Sequence, residues 1–169
     1  AAELAVPLPE VSHDFDSLAA NLARKLPRQW TASKTQQRAK LSKLLRLQPL
    51  AVSEIRNLGT KGKTAKVTRH VYQADNWSIP VLHIRNDKAN KVCVVVSDQG
   101  MARVGMWSAK QLKQSAEVYA IDPLLIGSSL PAGGLYPNAQ LISTVGSRAL
   151  GIQSAQLQAV LEAIKKKTN

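Results

Sequence analysis

Apolar and polar positions follow two rhythms along this chain, and the change between them marks out its elements. Phe15, Leu18, Leu22 and Leu26 recur at helical spacing. Asp14 and Asp16 sit at the end where negative charge suits the helix dipole, and Pro27 closes the segment. Ser33-Lys34-Thr35-Gln36 has the capping-box pattern, with Leu41, Leu44 and Leu45 following on one face. This second helix runs to about Leu47, and Pro49 stops it. The Gly- and Lys-rich stretch 58–66 reads as a flexible loop. From Val67 the period shortens to two. Segments 67–73 and 78–84 are alternating or β-branched, and Ala74-Asp75-Asn76-Trp77 joins them as a hairpin. Pro80 predicts an edge position for the second strand, since it cannot donate to a ladder.

Residues 92–129 carry the most informative pattern. Val92-Cys93-Val94-Val95-Val96 is a solid apolar run that ends in the polar turn Ser97-Asp98-Gln99-Gly100. A helical stretch over 104–117 follows, then Val118-Tyr119-Ala120-Ile121, closed by Asp122-Pro123-Leu124-Leu125-Ile126-Gly127-Ser128-Ser129. Strand, loop, helix, strand, loop is one crossover unit of a parallel sheet, with 92–96 and 118–121 as neighbours. Such sheets place their chemistry in the loops leaving the C-terminal strand ends, here 97–103 and 122–136. The Pro- and Gly-rich stretch 131–138 reads as loop. A last helix over 147–166 shows Leu150, Leu157, Leu161 and Ile164 on one stripe and a basic end. Residues 1–13 are Pro-rich and irregular, a surface arm, and 14–169 read as a single α/β domain without repeats.

The chain has 169 residues, enough for one real core. Apolar residues make up 44% but aromatics only 4%, so Leu, Val, Ile and Ala must fill the interior. No apolar run approaches the roughly 18–20 residues of a membrane span, so no membrane partner is expected. Cys93 is the one cysteine, which excludes an internal disulfide; among valines it reads as a buried, inert thiol. Net charge is +12, from 23 Lys and Arg against 11 Asp and Glu. The basic residues are spread over 24–43, 61–69 and 165–167 between apolar segments, and no aromatic platform accompanies them. A solvated basic surface is the reading, with a polyanion or an acidic protein surface as alternatives. The start Ala1-Ala2-Glu3, without methionine or hydrophobic leader, fits a processed terminus and leans toward an exported protein.

Candidate chemistry is sparse. His13 falls in the arm, and His70 and His83 on the two hairpin strands, where they face each other without a further ligand at metal spacing. No metal or cofactor is expected. Asp98 and Asp122 end neighbouring strands, where paired carboxylates can act as acid and base, but Asp122 is better read as capping its own loop through backbone N–H groups. Ser128 and Ser129 have no base nearby in sequence and read as loop formers.

Two helices, a hairpin, then strand, loop, helix, strand, loop and helix is an order that resembles the N-terminal half of an α/β-hydrolase. It is most similar to the acetyl-xylan-esterase-like and dienelactone-hydrolase-like branch, over about residues 20–166. The sharpest point is 120–129, which resembles that family's Asp-x-Arg-Gly-x-Gly-x-Ser loop with Asp122, Gly127 and Ser129 in register. Leu124 and Leu125 stand where Arg and Gly are expected. Ser147-Arg148-Ala149-Leu150-Gly151 is similar to the entry of the helix that precedes the nucleophile strand.

The resemblance implies a fold of antiparallel hairpin plus two parallel strands with two N-terminal helices. It also implies roles for the loops. The turn after the valine strand is similar to the family's His-Gly loop, without the histidine, so Gly100 and Met101 become oxyanion-loop candidates through backbone N–H groups. Asp122, Gly127 and Ser129 become cleft-loop candidates. The family's nucleophile sits in a Gly-x-Ser-x-Gly elbow one strand beyond the 147–166 helix. No such elbow occurs in these 169 residues; Gly127-Ser128-Ser129-Leu130-Pro131 comes nearest, with Pro where the second Gly belongs.

The expectation is therefore an N-terminal segment of a carboxylic-ester or carbohydrate-ester hydrolase, not catalytic by itself. The alternative is a stand-alone basic binding module for a polyanion or an acidic protein. Either way the short sheet predicts a second polypeptide, or a second copy, covering its open edge and the stripe of the last helix.

Overall fold

A computed structural model describes residues 14–25, 33–85 and 87–168. The expected arm at 1–13, with His13, and the helix end at Leu26 and Pro27 lie outside the described residues. The chain groups into two compact units, Ala1–Ala39 and Lys40–Asn169, and the division falls inside the second helix.

In the first unit, α1 spans Phe15–Lys25. Asp14 caps it, its Oδ1 accepting the Ser17 N–H at 2.7 Å. The second helix, α2, spans Lys34–Leu45 and opens with the expected capping box. The Gln36 N–H donates to Ser33 Oγ at 3.3 Å, and the Ser33 N–H to Gln36 Oε1 at 3.0 Å.

The second unit is built on a five-stranded mixed sheet. Its strands are β1 (Val52–Lys61), β2 (Lys66–Ala74), β3 (Trp77–Arg85), β4 (Lys91–Val95) and β5 (Ala116–Ile121), in the order β1-β2-β3-β5-β4. Helix α3 (Gly105–Lys113) connects β4 to β5, which run parallel with Lys91 level with Ala116 and Val95 level with Ala120. All other pairs are antiparallel. The crossover unit read from the sequence is thus present. It inserts β5 between β4 and the hairpin, leaving β4 with no strand beyond it among the described residues.

Four expectations need correction. The stretch 58–66 is loop only in part, because β1 continues to Lys61. Its residues are almost all exposed, so no alternation betrays it; a register shift between Asn57 and Thr60 and a left-handed Gly59 (φ 120°) interrupt its ladder. Pro80 does not mark an edge, since β3 lies between β2 and β5. Its carbonyl accepts the Asp122 N–H, and within a strand a residue's nitrogen points the same way as its carbonyl. The ring therefore faces the side where β5 has already ended, at Ile121. The helix expected over 104–117 stops at Lys113; Ser115 turns the chain at φ 58°, and Ala116 and Glu117 join β5. Finally, 131–138 is not all loop, because α4 spans Leu135–Thr144. Pro137 is tolerated in its first turn, where backbone N–H groups have no intrahelical partner.

The last helix, α5, spans Ala149–Thr168 and covers one sheet face. The core there joins Tyr72 and Ala74 of β2, Ile79 and Val81 of β3, and Tyr119 and Ile121 of β5 to Val160 and Ile164 of α5. Burying each larger aliphatic side chain contributes about 1.5–3 kcal/mol. Leu157 packs against this cluster, so the expected stripe is largely covered within the chain; only Leu150 stands 59% exposed. On the other face, Cys93, level with Val118, touches Gln111 of α3 at 3.7 Å. The two helices therefore flank the parallel pair from opposite sides.

Candidate functional site

The loops leaving β4 and β5 meet, and Asp122 joins them. It follows the last residue of β5 and is 1% exposed. Its Oδ1 accepts the Met101 N–H at 2.6 Å, and its Oδ2 accepts both the N–H and the hydroxyl of Ser128 at 2.8 Å. Its backbone carbonyl accepts the Ser129 hydroxyl at 2.7 Å. A buried carboxylate has to be satisfied in this way, and here three donors from two loops do so. The glycines follow from that closeness. A Cβ on Gly127 would collide with the Asp122 carboxylate, and one on Gly100 with the Gly127 backbone, and both residues hold left-handed φ angles, 52° and 79°. Helix α5 fixes the second loop from behind. The Leu124 N–H donates to Gln156 Oε1 at 2.8 Å, and Gln153 Nε2 donates to the Leu124 carbonyl at 2.7 Å.

Gly100, Met101, Asp122, Gly127 and Ser129, read separately from the sequence, are thus brought to one place. The loop-capping role of Asp122 is present and reaches further than expected, across to Met101. The Gly100 N–H donates to the Ser97 carbonyl at 2.9 Å and that of Met101 to Asp122, so both oxyanion-loop candidates are engaged. Asp98 is not brought into the clasp. It stays exposed on the turn, its Oδ1 3.5 Å from Ser97 Oγ. A 3-10 turn, Gly127–Ser129, completes the loop. Leu125 holds φ 63° while 6% exposed, at the position where the resemblance expects glycine.

A second polar cluster lies on the sheet face that α5 covers. His83 Nε2 is 2.9 Å from Glu117 Oε2, and Arg85 Nε lies 4.0 Å from the same oxygen. The His83 ring stacks on Tyr119 at 4.2 Å. His70 sits 6.1 Å from His83, edge-on to Tyr72, and its Nδ1 is buried without a hydrogen-bond partner among the described residues. Burial holds both imidazoles below the ordinary histidine value; Lys167 and the neighbouring histidine add to this at His70, while Glu117 opposes it at His83. Burial also raises the Tyr119 hydroxyl. The sequence showed the two histidines on one side of a hairpin but not Glu117, which comes from a strand whose partner the local pattern does not reveal. Among the described residues no group of three or more His, Cys, Asp or Glu is placed to hold a metal ion. Nor is any helix there long and apolar enough to cross a membrane.

Beside the clasp, on the sheet face away from α5, opens a groove of about 680 Å³. Val71, Pro80 and Leu82 form its floor, and the loops carrying Met101 and Ser128 one of its walls. No family model, curated protein or solved structure compared with this chain matches it.

Proposed function

We propose that this chain is the N-terminal half of a carboxylic-ester hydrolase of the acetyl-xylan-esterase-like branch, with the nucleophile on another segment. The observation that carries this reading is the strand order. An antiparallel β3 beside β5, and a parallel β4 outside it, leave the β4 edge ready for a further parallel strand. Val92 at that edge remains 41% exposed. The left-handed Leu125 adds support, since a backbone suited to glycine persists where the resemblance has one.

In this reading the clasped loops form one wall of the substrate cleft, next to the place a serine elbow would occupy. The Met101 N–H could serve an oxyanion only by exchanging its bond to Asp122 for one to the substrate oxygen. Acyl transfer would then run through a serine ester with water as final acceptor, on a serine that these residues do not supply. A neighbour for β4 is part of the proposal. A second copy is the less favoured one, because each chain carries a charge of +12.

Fluorophosphonate labelling tests this. The 169-residue chain alone should hydrolyse p-nitrophenyl acetate no faster than a lysine-rich control, and none of its serines should be labelled. Material purified from the native source should be labelled once, on a serine outside residues 1–169 that lies in a Gly-x-Ser-x-Gly elbow. Labelling of Ser129, or an unlabelled native protein, would overturn the reading. The second of these outcomes leaves the basic binding module.

A further inference from the structure

The groove on the open sheet face has a construction that selects its occupant. Val71 and Pro80 are opposite one another in the β2–β3 ladder, as are Arg69 and Leu82, so all four project to the same side. Leu58 and Met101 extend the apolar lining. At about 680 Å³ the space falls within the roughly 300–1,000 Å³ of pockets that enclose small organic ligands. It also lies at the carboxyl ends of the parallel pair, where ligands of such sheets collect.

Charge narrows the choice further. Among the described residues, two formally charged side chains line the groove, Asp122 and Arg69. Asp122 is sealed, its two oxygens held by three donors. Arg69 is exposed, and no carboxylate among the described residues pairs with it. The groove therefore presents an apolar floor and one accessible cation. A nucleic-acid strand fits poorly, because no Phe, Tyr or Trp among the described residues lines the space for bases to stack on, and a single guanidinium cannot follow a phosphate chain.

We infer that this groove binds a small amphipathic carboxylate, its hydrocarbon body on Val71, Pro80 and Leu82 and its carboxylate against Arg69. The site shares the clasped loops with the cleft of the esterase reading, but it involves neither the β4 edge nor a nucleophile, so it is tested without them. Arg69 acts as the recognition group, since a guanidinium pairs with a carboxylate through two parallel N–H···O bonds.

Octanoate is the probe, with octan-1-ol as its uncharged counterpart, followed by calorimetry and by methyl NMR of the 169-residue chain. Octanoate should saturate a single site and shift the methyl resonances of Val71, Leu82 and Met101. Arg69→Gln, an exposed change that the fold tolerates, should weaken octanoate about tenfold and leave octanol unchanged. Leu82→Trp, which fills the groove, should abolish both. Equal loss of octanoate and octanol in Arg69→Gln would overturn the proposal, as would shifts confined to Leu135 and Leu141 of α4. A groove already closed by a second copy, seen as a dimer that octanoate does not dissociate, would overturn it too. None of these outcomes depends on a fluorophosphonate-reactive serine, so failure here and failure of the esterase reading are separable.

Discussion

Asp122 is the residue on which both loops depend. In Asp122→Asn one carboxylate oxygen becomes an NH₂ group, which must face either the Met101 N–H or the Ser128 donors. A buried donor set against a donor should cost about 2–3 kcal/mol, read from the urea midpoint at constant slope. Gly127→Ala should also destabilise, because its Cβ meets the same carboxylate at a left-handed backbone. The loop-capping half of this arrangement was legible, as an Asp at the end of an apolar strand before a Gly-Ser-Ser turn. The bond to Met101 was not, since it spans 21 residues and exists only once β4 and β5 pair. The same is true of His83 and Glu117, 34 residues apart. Those histidines make stability depend on pH. Both are held below 6.5, so the unfolded chain takes up protons at a higher pH than the folded one. Stability should be level above about pH 6.5 and fall as the pH drops below it, until the folded-state imidazoles themselves titrate. His70→Phe should flatten that fall; an unchanged profile would place the proton uptake elsewhere.

At the scale of elements, what could be read was what the local pattern contained. The apolar run of β4, the helix, and the second apolar run of β5 announced a parallel pair, because strands buried on both faces lose their polar alternation. All six residues of β5 are indeed buried, whereas β4, at the sheet edge, is exposed to half-buried along its length. The opposite case is β1, whose residues are nearly all exposed, so its polar sequence looked like loop. Helix α4 was hidden by Pro137, a residue whose meaning reverses between the first turn and the rest of a helix. Pro80 misled similarly, since it marks where β5 ends rather than where the sheet does. The fold thus predicts a gradient in amide exchange. The amides of β5, flanked by β3 and β4, should exchange last, near the rate of global unfolding, and those of β1 first among the strands. Comparable protection of β1 and β5, measured by mass spectrometry, would contradict this arrangement.

The whole molecule carries +12, yet its sheet core is apolar and compact. Charge therefore says nothing about how the fold is held; it bears on what approaches it, and favours anionic ligands and acidic surfaces. The strand order that leaves β4 open also fixes the sequence of events by which the chain finds its structure. The β2–β3 hairpin closes over two residues, Asp75 and Asn76, with Asp75 already left-handed at φ 48°, and pairs in unbroken register from Ala74–Trp77 to Lys66–Arg85. Its loop-closure entropy is small, whereas β5 can dock on β3 only across the whole of β4 and α3. The hairpin should accordingly form in the transition state and β4 should join last. Val81→Ala should mainly slow refolding, and Val94→Ala should mainly speed unfolding, in stopped-flow chevrons. Strand β4, at one edge of the sheet in space, would then stand at its edge in time as well, still unpaired on both sides after the rest of the sheet has closed.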